Sequence, residues 1–120
     1  MNKLFVYGTL VPGDVAWPRL ATWLVGTPVA ATVPGVLYDT GRGYPAATFD
    51  ADAAGLVHGV VGELNPELLE TALRALDRYE GNEYERVLVR TTAGDEVFAY
   101  VWIAPLDHCA AIRSGRWPTP

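Results

Sequence analysis

Leu4, Phe5, Val6 and Tyr7 form an unbroken apolar run that stops at Gly8. A run without polar alternation predicts a strand covered on both faces, and therefore one central in its sheet. Pro12, Gly13 and Asp14 predict a turn, and Pro18 suits the first position of a short helix over Arg19 to Val25 with Leu20, Trp23 and Leu24 on one face. From Pro28 to Tyr38, and again from Gly55 to Leu64, β-favouring residues interrupted by glycine and proline predict two strands with bends. Between them Asp39 to Pro45 concentrates turn formers, with Gly41 and Gly43 free to adopt positive φ around Arg42.

Asn65-Pro66-Glu67 is a helix start: asparagine caps, proline fits the first turn and Glu67 favours the positive end of the dipole. Leu68, Leu69, Ala72, Leu73 and Leu76 follow at spacings of three and four, so one apolar stripe runs to an end near Tyr79 and Gly81. Tyr84 to Thr92 and Glu96 to Ala104 predict a hairpin turning at Ala93-Gly94-Asp95, with Phe98, Tyr100 and Trp102 sharing a face. The tail beyond Pro105 has no clear pattern. Five or six strands with only two helices cannot wind doubly, so the expected class is α+β with a strongly curled or barrel-like sheet, which hides its edges.

Composition narrows the function classes. At 120 residues, half of them apolar, the chain has the size of a single domain over residues 1–120 with a real core. Fourteen acidic against nine basic residues, net −5 and without runs, argue against a phosphate-binding surface, so no nucleic-acid partner is expected. Cys109 is the lone cysteine; no internal disulfide can form and a reducing cytosol fits best. The apolar stretch at the N-terminus is too short for a signal peptide or a membrane span, and no membrane association is expected. His58 and His108 stand apart, with Cys109 beside only the latter, a poor start for a metal site.

Two segments carry candidate chemistry. In Tyr7-Gly8-Thr9-Leu10 a buried strand ends in glycine, and the following amides have no evident ladder partner; such amides can hold a carboxylate or an oxyanion, although the same residues also fit a simple strand-ending turn. In Leu76 to Arg86, LDRYEGNEYER, Glu80 falls where the helix stops and meets the negative end of its dipole. A partly desolvated carboxylate there would have its pKa raised toward that of an amine, whereas the plainer reading is a surface charge. Glu83 and Glu85 are weaker candidates, because alternation through Tyr84, Arg86 and Leu88 sends the other face inward. Tyr44 and Tyr84 are candidate pocket residues, Tyr100 and Trp102 core or pocket wall, and Arg86 a partner either for a substrate carboxylate or for Glu80 or Asp77.

Taken together, FVYGTL at Phe5 to Leu10, LYD…GYPA at Leu37 to Ala47, the glycine-valine strand Gly55 to Leu64 and LDRYEGNEYER resemble, in order and spacing, the γ-glutamyl cyclotransferase-like family, in particular its γ-glutamylamine cyclotransferase branch. The resemblance covers Leu4 to about Trp102. It implies a small β-barrel with flanking helices, no metal or organic cofactor, and a small-molecule γ-glutamyl substrate. It further implies that the loop matching Tyr7, Gly8, Thr9 and Leu10 holds the γ-glutamyl head through main-chain groups, and that Glu80 is the acid/base. The reaction is attack of the substrate's own α-amino group on its γ-amide carbonyl, releasing 5-oxoproline and an amine; the nucleophile arrives with the substrate, so no Ser/His or Cys/His constellation is required. After the loop, Val11 to Trp17 is apolar and acidic where relatives are often basic and polar, a departure on the side of the leaving amine. Two other classes compete: a non-catalytic small-molecule binding module with the same pocket, and an interaction protein using Trp17, Trp23 and Trp117 as contact residues.

Overall fold

A computed structural model of the chain describes residues 2–8 and 16–117. The turn expected at Pro12 to Asp14, the departing residues 11–15, and Thr9 and Leu10 of the candidate loop lie outside the described residues.

The first apolar run forms strand β1 (Lys3–Val6), hydrogen-bonded antiparallel to β4 (Leu56–Leu64) on one side and parallel to β6 (Glu96–Trp102) on the other. Its position is central, as the absence of alternation requires. Leu4 and Val6 pack beneath the helices with Leu20, Leu64, Ala72 and Leu76, while Phe5 and Tyr7 point into the curled sheet with Val33, Leu37, Ala47, Val57, Val97 and Ala99. Both faces of this strand are therefore core, and burying each large side chain contributes roughly 1.5–3 kcal/mol. β4 lies so close over β1 that a side chain on Gly59 would collide with the Val6 carbonyl and the Phe5 ring.

The sheet runs in the order β3-β2-β4-β1-β6-β5, with β2 (Leu24–Asp39), β3 (Pro45–Phe49) and β5 (Tyr84–Arg90), and β7 (Ala110–Ile112) pairs β2. β3 packs across against β6, and the Tyr84 hydroxyl of β5 donates to the Pro45 carbonyl of β3 at 2.5 Å, so the mixed sheet nearly closes into a barrel. With its flanking helices this is the expected α+β architecture.

Four elements differ in detail from expectation. The first helix, α1, is Trp17–Ala21 rather than Arg19 to Val25; it closes in a Thr22–Trp23 turn, and Leu24 and Val25 already pair with β4. β2 accordingly begins earlier than Pro28, with a register shift between Val25 and Val29. β3 and β7 were not foreseen: Pro45-Ala46-Ala47 and Ala110-Ala111 carry little intrinsic β preference, and their pairing with β2 decides them. Asn65 accepts from the Glu67 amide at 3.0 Å and caps a 3₁₀ turn, Pro66–Leu68, that leads into helix α2 (Leu69–Glu80). β5 and β6 form the hairpin, with Tyr84 opposite Trp102 and Arg90 opposite Glu96. Trp17 and Trp23 pack against the first core cluster and Trp117 against the second, which weakens their use as a contact surface. Among the described residues no helix is long and apolar enough to cross a membrane.

Candidate active site

Helix α2 presents Ala72 and Leu76 to the core, and Glu80 continues the same row one turn further on. The helix ends there because Gly81 takes φ 80°, its amide bonding the Asp77 carbonyl at 3.1 Å. Glu80 is thus delivered, as the last residue of an apolar stripe, into a cavity of about 280 Å³. The end of β1 supplies one wall through Phe5, Val6, Tyr7 and Gly8; Gly43, Tyr44 and Pro45 supply a second; Tyr79, Tyr84 and Tyr100 complete it.

Each wall has a local reason. The Asp39 to Pro45 loop is shaped by its own polar groups: Asp39 Oδ1 accepts from the Gly41 amide at 2.8 Å, and the buried Thr40 hydroxyl donates to the Tyr44 carbonyl at 2.6 Å. Gly41 and Gly43 take φ 78° and 90°, as a tight loop around Arg42 requires. Gly8 leaves room for Pro45, whose Cγ and Cδ would stand 3.1 Å from any Cβ placed there. Arg42 closes the rim, its guanidinium 2.9 Å from Glu83 Oε2 and stacked over the rings of Tyr44 and Trp102.

Burial pushes the Glu80 carboxyl up to about 7, and nothing among the described residues hydrogen-bonds or ion-pairs it. The Tyr84 and Tyr100 hydroxyls are pushed up first by burial and then by acidic neighbours, Glu80 among them; Tyr7 is raised by burial and by Tyr84 and Glu80. Phenols so placed stay protonated, and among the described wall residues Glu80 is the group able to exchange a proton near neutral pH.

Of the residues singled out from sequence, Tyr7, Gly8, Tyr44, Glu80 and Tyr84 meet on this cavity. Thr9 and Leu10 lie outside the described residues. Arg86 is not among the residues that line the cavity: its Nε stands 3.3 Å from Asp77 Oδ1 and its guanidinium lies over the Phe98 ring, which is the internal pairing. The physical reason is that β5 alternation puts Arg86 beside α2, where Asp77 is the nearer anion. Sequence reasoning passed over Gly43, Pro45 and Tyr79 as wall residues and the Arg42–Glu83 clasp. Nothing in sequence spacing joins positions 42 and 83. A wider open groove of about 960 Å³ borders β2 and β4, with Glu63 and Asp95 both exposed and no buried carboxylate. Among the described residues no three His, Cys, Asp or Glu side chains gather as a metal site.

Comparison with known proteins shows the family and the fold. The family model described as gamma-glutamyl cyclotransferase, AIG2-like, matches residues 4–119. AIG2-like protein A of Arabidopsis thaliana is 36% identical over 118 residues, which is 89% of this chain and 65% of that protein. Protein ytfP of Escherichia coli is 34% identical with a TM-score of 0.59, covering 97% of this chain and 96% of that one. YkqA of Bacillus subtilis is 25% identical with a TM-score of 0.74, covering 97% of this chain and 39% of that one. The chain therefore spans about two thirds of the Arabidopsis relative and well under half of YkqA.

Proposed function

Since the chain belongs to the gamma-glutamyl cyclotransferase, AIG2-like family, we propose that it catalyses intramolecular attack of an α-amino group on a γ-glutamyl amide, releasing 5-oxoproline and a free amine. The observation that carries this reading is Glu80, a partly buried carboxylate without a partner among the described residues, on the same small cavity as Gly8. An α-ammonium of pKa about 7.7–8.0 and a carboxyl raised to about 7 are close enough for proton exchange in both directions.

In this mechanism ionised Glu80 takes a proton from the substrate's α-ammonium. The freed amine adds to the γ-carbonyl carbon, forming the ring C–N bond, and the carbonyl oxygen becomes an oxyanion. As the oxyanion collapses, the original amide C–N bond breaks and Glu80 returns its proton to the departing nitrogen; Glu80 then takes the second proton from the ring nitrogen and passes it to the freed amine, which leaves as an ammonium. The backbone from Gly8 onward is assigned to the α-carboxylate, with Thr9 and Leu10 contributing their amides, and the tyrosine walls hold the folded-back γ-glutamyl chain and exclude water. Tyr44 and Tyr84 serve as binding walls; no cofactor takes part.

The test is 5-oxoproline release from a panel of γ-glutamyl amides by wild type and Glu80→Gln. Loss of a positioned acid/base lowers kcat by about 10²–10⁴ with the fold intact by circular dichroism. In the wild type kcat rises with pH through about 7, as Glu80 ionises. Full turnover by Glu80→Gln refutes the mechanism, and ligand binding without turnover in any panel marks a binding module instead.

A further inference from the structure

The direction of the hydrogen bonds around the cavity states what it recognises. A tyrosine hydroxyl has one proton and accepts through its oxygen. The Tyr84 hydroxyl faces the Pro45 carbonyl at 2.5 Å, and the Tyr100 hydroxyl faces Asp77 Oδ1 at 2.6 Å. A carbonyl and a carboxylate can only accept, so both phenols must donate there, and each keeps an oxygen lone pair and no proton for the cavity. Tyr7 donates to the Tyr100 carbonyl at 2.5 Å, and Tyr44 directs its hydroxyl to Glu83 Oε1 at 3.4 Å. No lysine, arginine, histidine, serine, threonine, asparagine or glutamine side chain is among the described wall residues. Arg86 is paired with Asp77 and Arg42 with Glu83.

We propose that Glu80, Tyr84 and Tyr100 form an acceptor-only wall that reads an α-ammonium, so that the cavity takes its ligand as the zwitterion and discriminates against the same molecule lacking the amino group. Asp77 is a positioning residue in this device: by taking the Tyr100 proton it turns the phenol oxygen into an obligate acceptor. This deepens the reading above and rests on it, for it names the charge state in which a γ-glutamyl ligand enters and the groups that select it.

The test uses binding of a pair inert at the γ position, L-methionine sulfoxide and 4-(methylsulfinyl)butanoate, which differ only in the α-ammonium. Isothermal titration of the wild type gives at least about tenfold tighter binding of the amino compound, the size expected for hydrogen bonds to a charged group. Tyr100→Phe removes the acceptor; Asp77→Ala, at a side chain 44% exposed, frees the Tyr100 proton to point inward. Both lower the preference at least about threefold while leaving affinity for the desamino compound within about twofold. A purely structural role would weaken both ligands alike. Equal affinities in the wild type, binding of neither compound, or an unchanged preference in both variants overturns the proposal. 5-Oxoproline release, measured separately, keeps the two readings apart: a chain that discriminates without turnover loses only the cyclotransferase reading, and one that turns over without discriminating loses only this one.

Discussion

Glu80 and Glu83 stand three positions apart at the end of one helix, and the fold gives them opposite surroundings. Glu83, at the rim, has a half-exposed partner in Arg42, bonded at 2.9 Å, and receives the Tyr44 hydroxyl on its other oxygen. Glu80, on the buried row of α2, has neither, and burial pushes it up to about 7. The difference lies in the helix end. Residue 80 still obeys the helical period that places Ala72 and Leu76 inward, whereas Gly81 breaks the period and returns the chain to the surface before Glu83. A carboxylate that is ion-paired at the rim suits a clasp, and one that is desolvated and unpaired among the described residues suits a base.

The largest effect that could break this comparison is on stability. Glu80 is raised from 4.5 to about 7 in the folded chain, so folding favours its neutral form. Below about pH 4.5 the carboxyl is protonated folded and unfolded and carries no penalty; as pH rises through 7 the folded state must bear the buried charge. Glu80→Gln is therefore more stable than wild type at pH 8, by on the order of 3 kcal/mol, and no more stable at pH 4. Urea unfolding at both pH values measures this, and a variant less stable than wild type at pH 8 would mean that Glu80 has a favourable partner.

A smaller effect is expected at Tyr84→Phe, which leaves the Pro45 carbonyl without its partner and loosens the contact between β5 and β3. The cost is about 1 kcal/mol, read as a lower midpoint in the same titration. The smallest belongs to the rim. Glu83→Gln removes an ion pair between exposed side chains, and such pairs contribute little and are screened by salt. Its unfolding midpoint matches wild type in 1 M salt, and kcat stays within about threefold of wild type. A loss at Glu83 as large as that at Glu80 would erase the distinction between clasp and base.

Much of the fold was legible because it follows from local rules. The unalternated run Leu4 to Tyr7 could only be a strand with two buried faces, and it lies between β4 and β6. The stripe from Leu68 to Leu76, opened by the Asn65 cap, could only be an amphipathic helix. The sequence was silent where pairing partners decide. Ala46 and Ala47 become a strand because β2 offers them a ladder, and Leu24 leaves the helix because β4 does the same. The candidate site was legible in part. Glu80 and the YGTL segment stand out as departures from local expectation, whereas Arg86 carries no mark of whether it serves a substrate or Asp77, and the structure shows Asp77.

By itself the sequence determined the two ends of the site: a strand that must be central and stop at glycine, and a glutamate at the close of an apolar helical stripe. Both follow from periodicity and from backbone preferences, which act over a few residues. Only the tertiary structure decided that these ends face one cavity, that Arg42 meets Glu83 across its rim, and that the protons of Tyr84 and Tyr100 are spent on Pro45 and Asp77. Hydrogen-bond direction depends on which acceptor stands within 3 Å, and in a barrel that acceptor comes from a strand or helix tens of residues away.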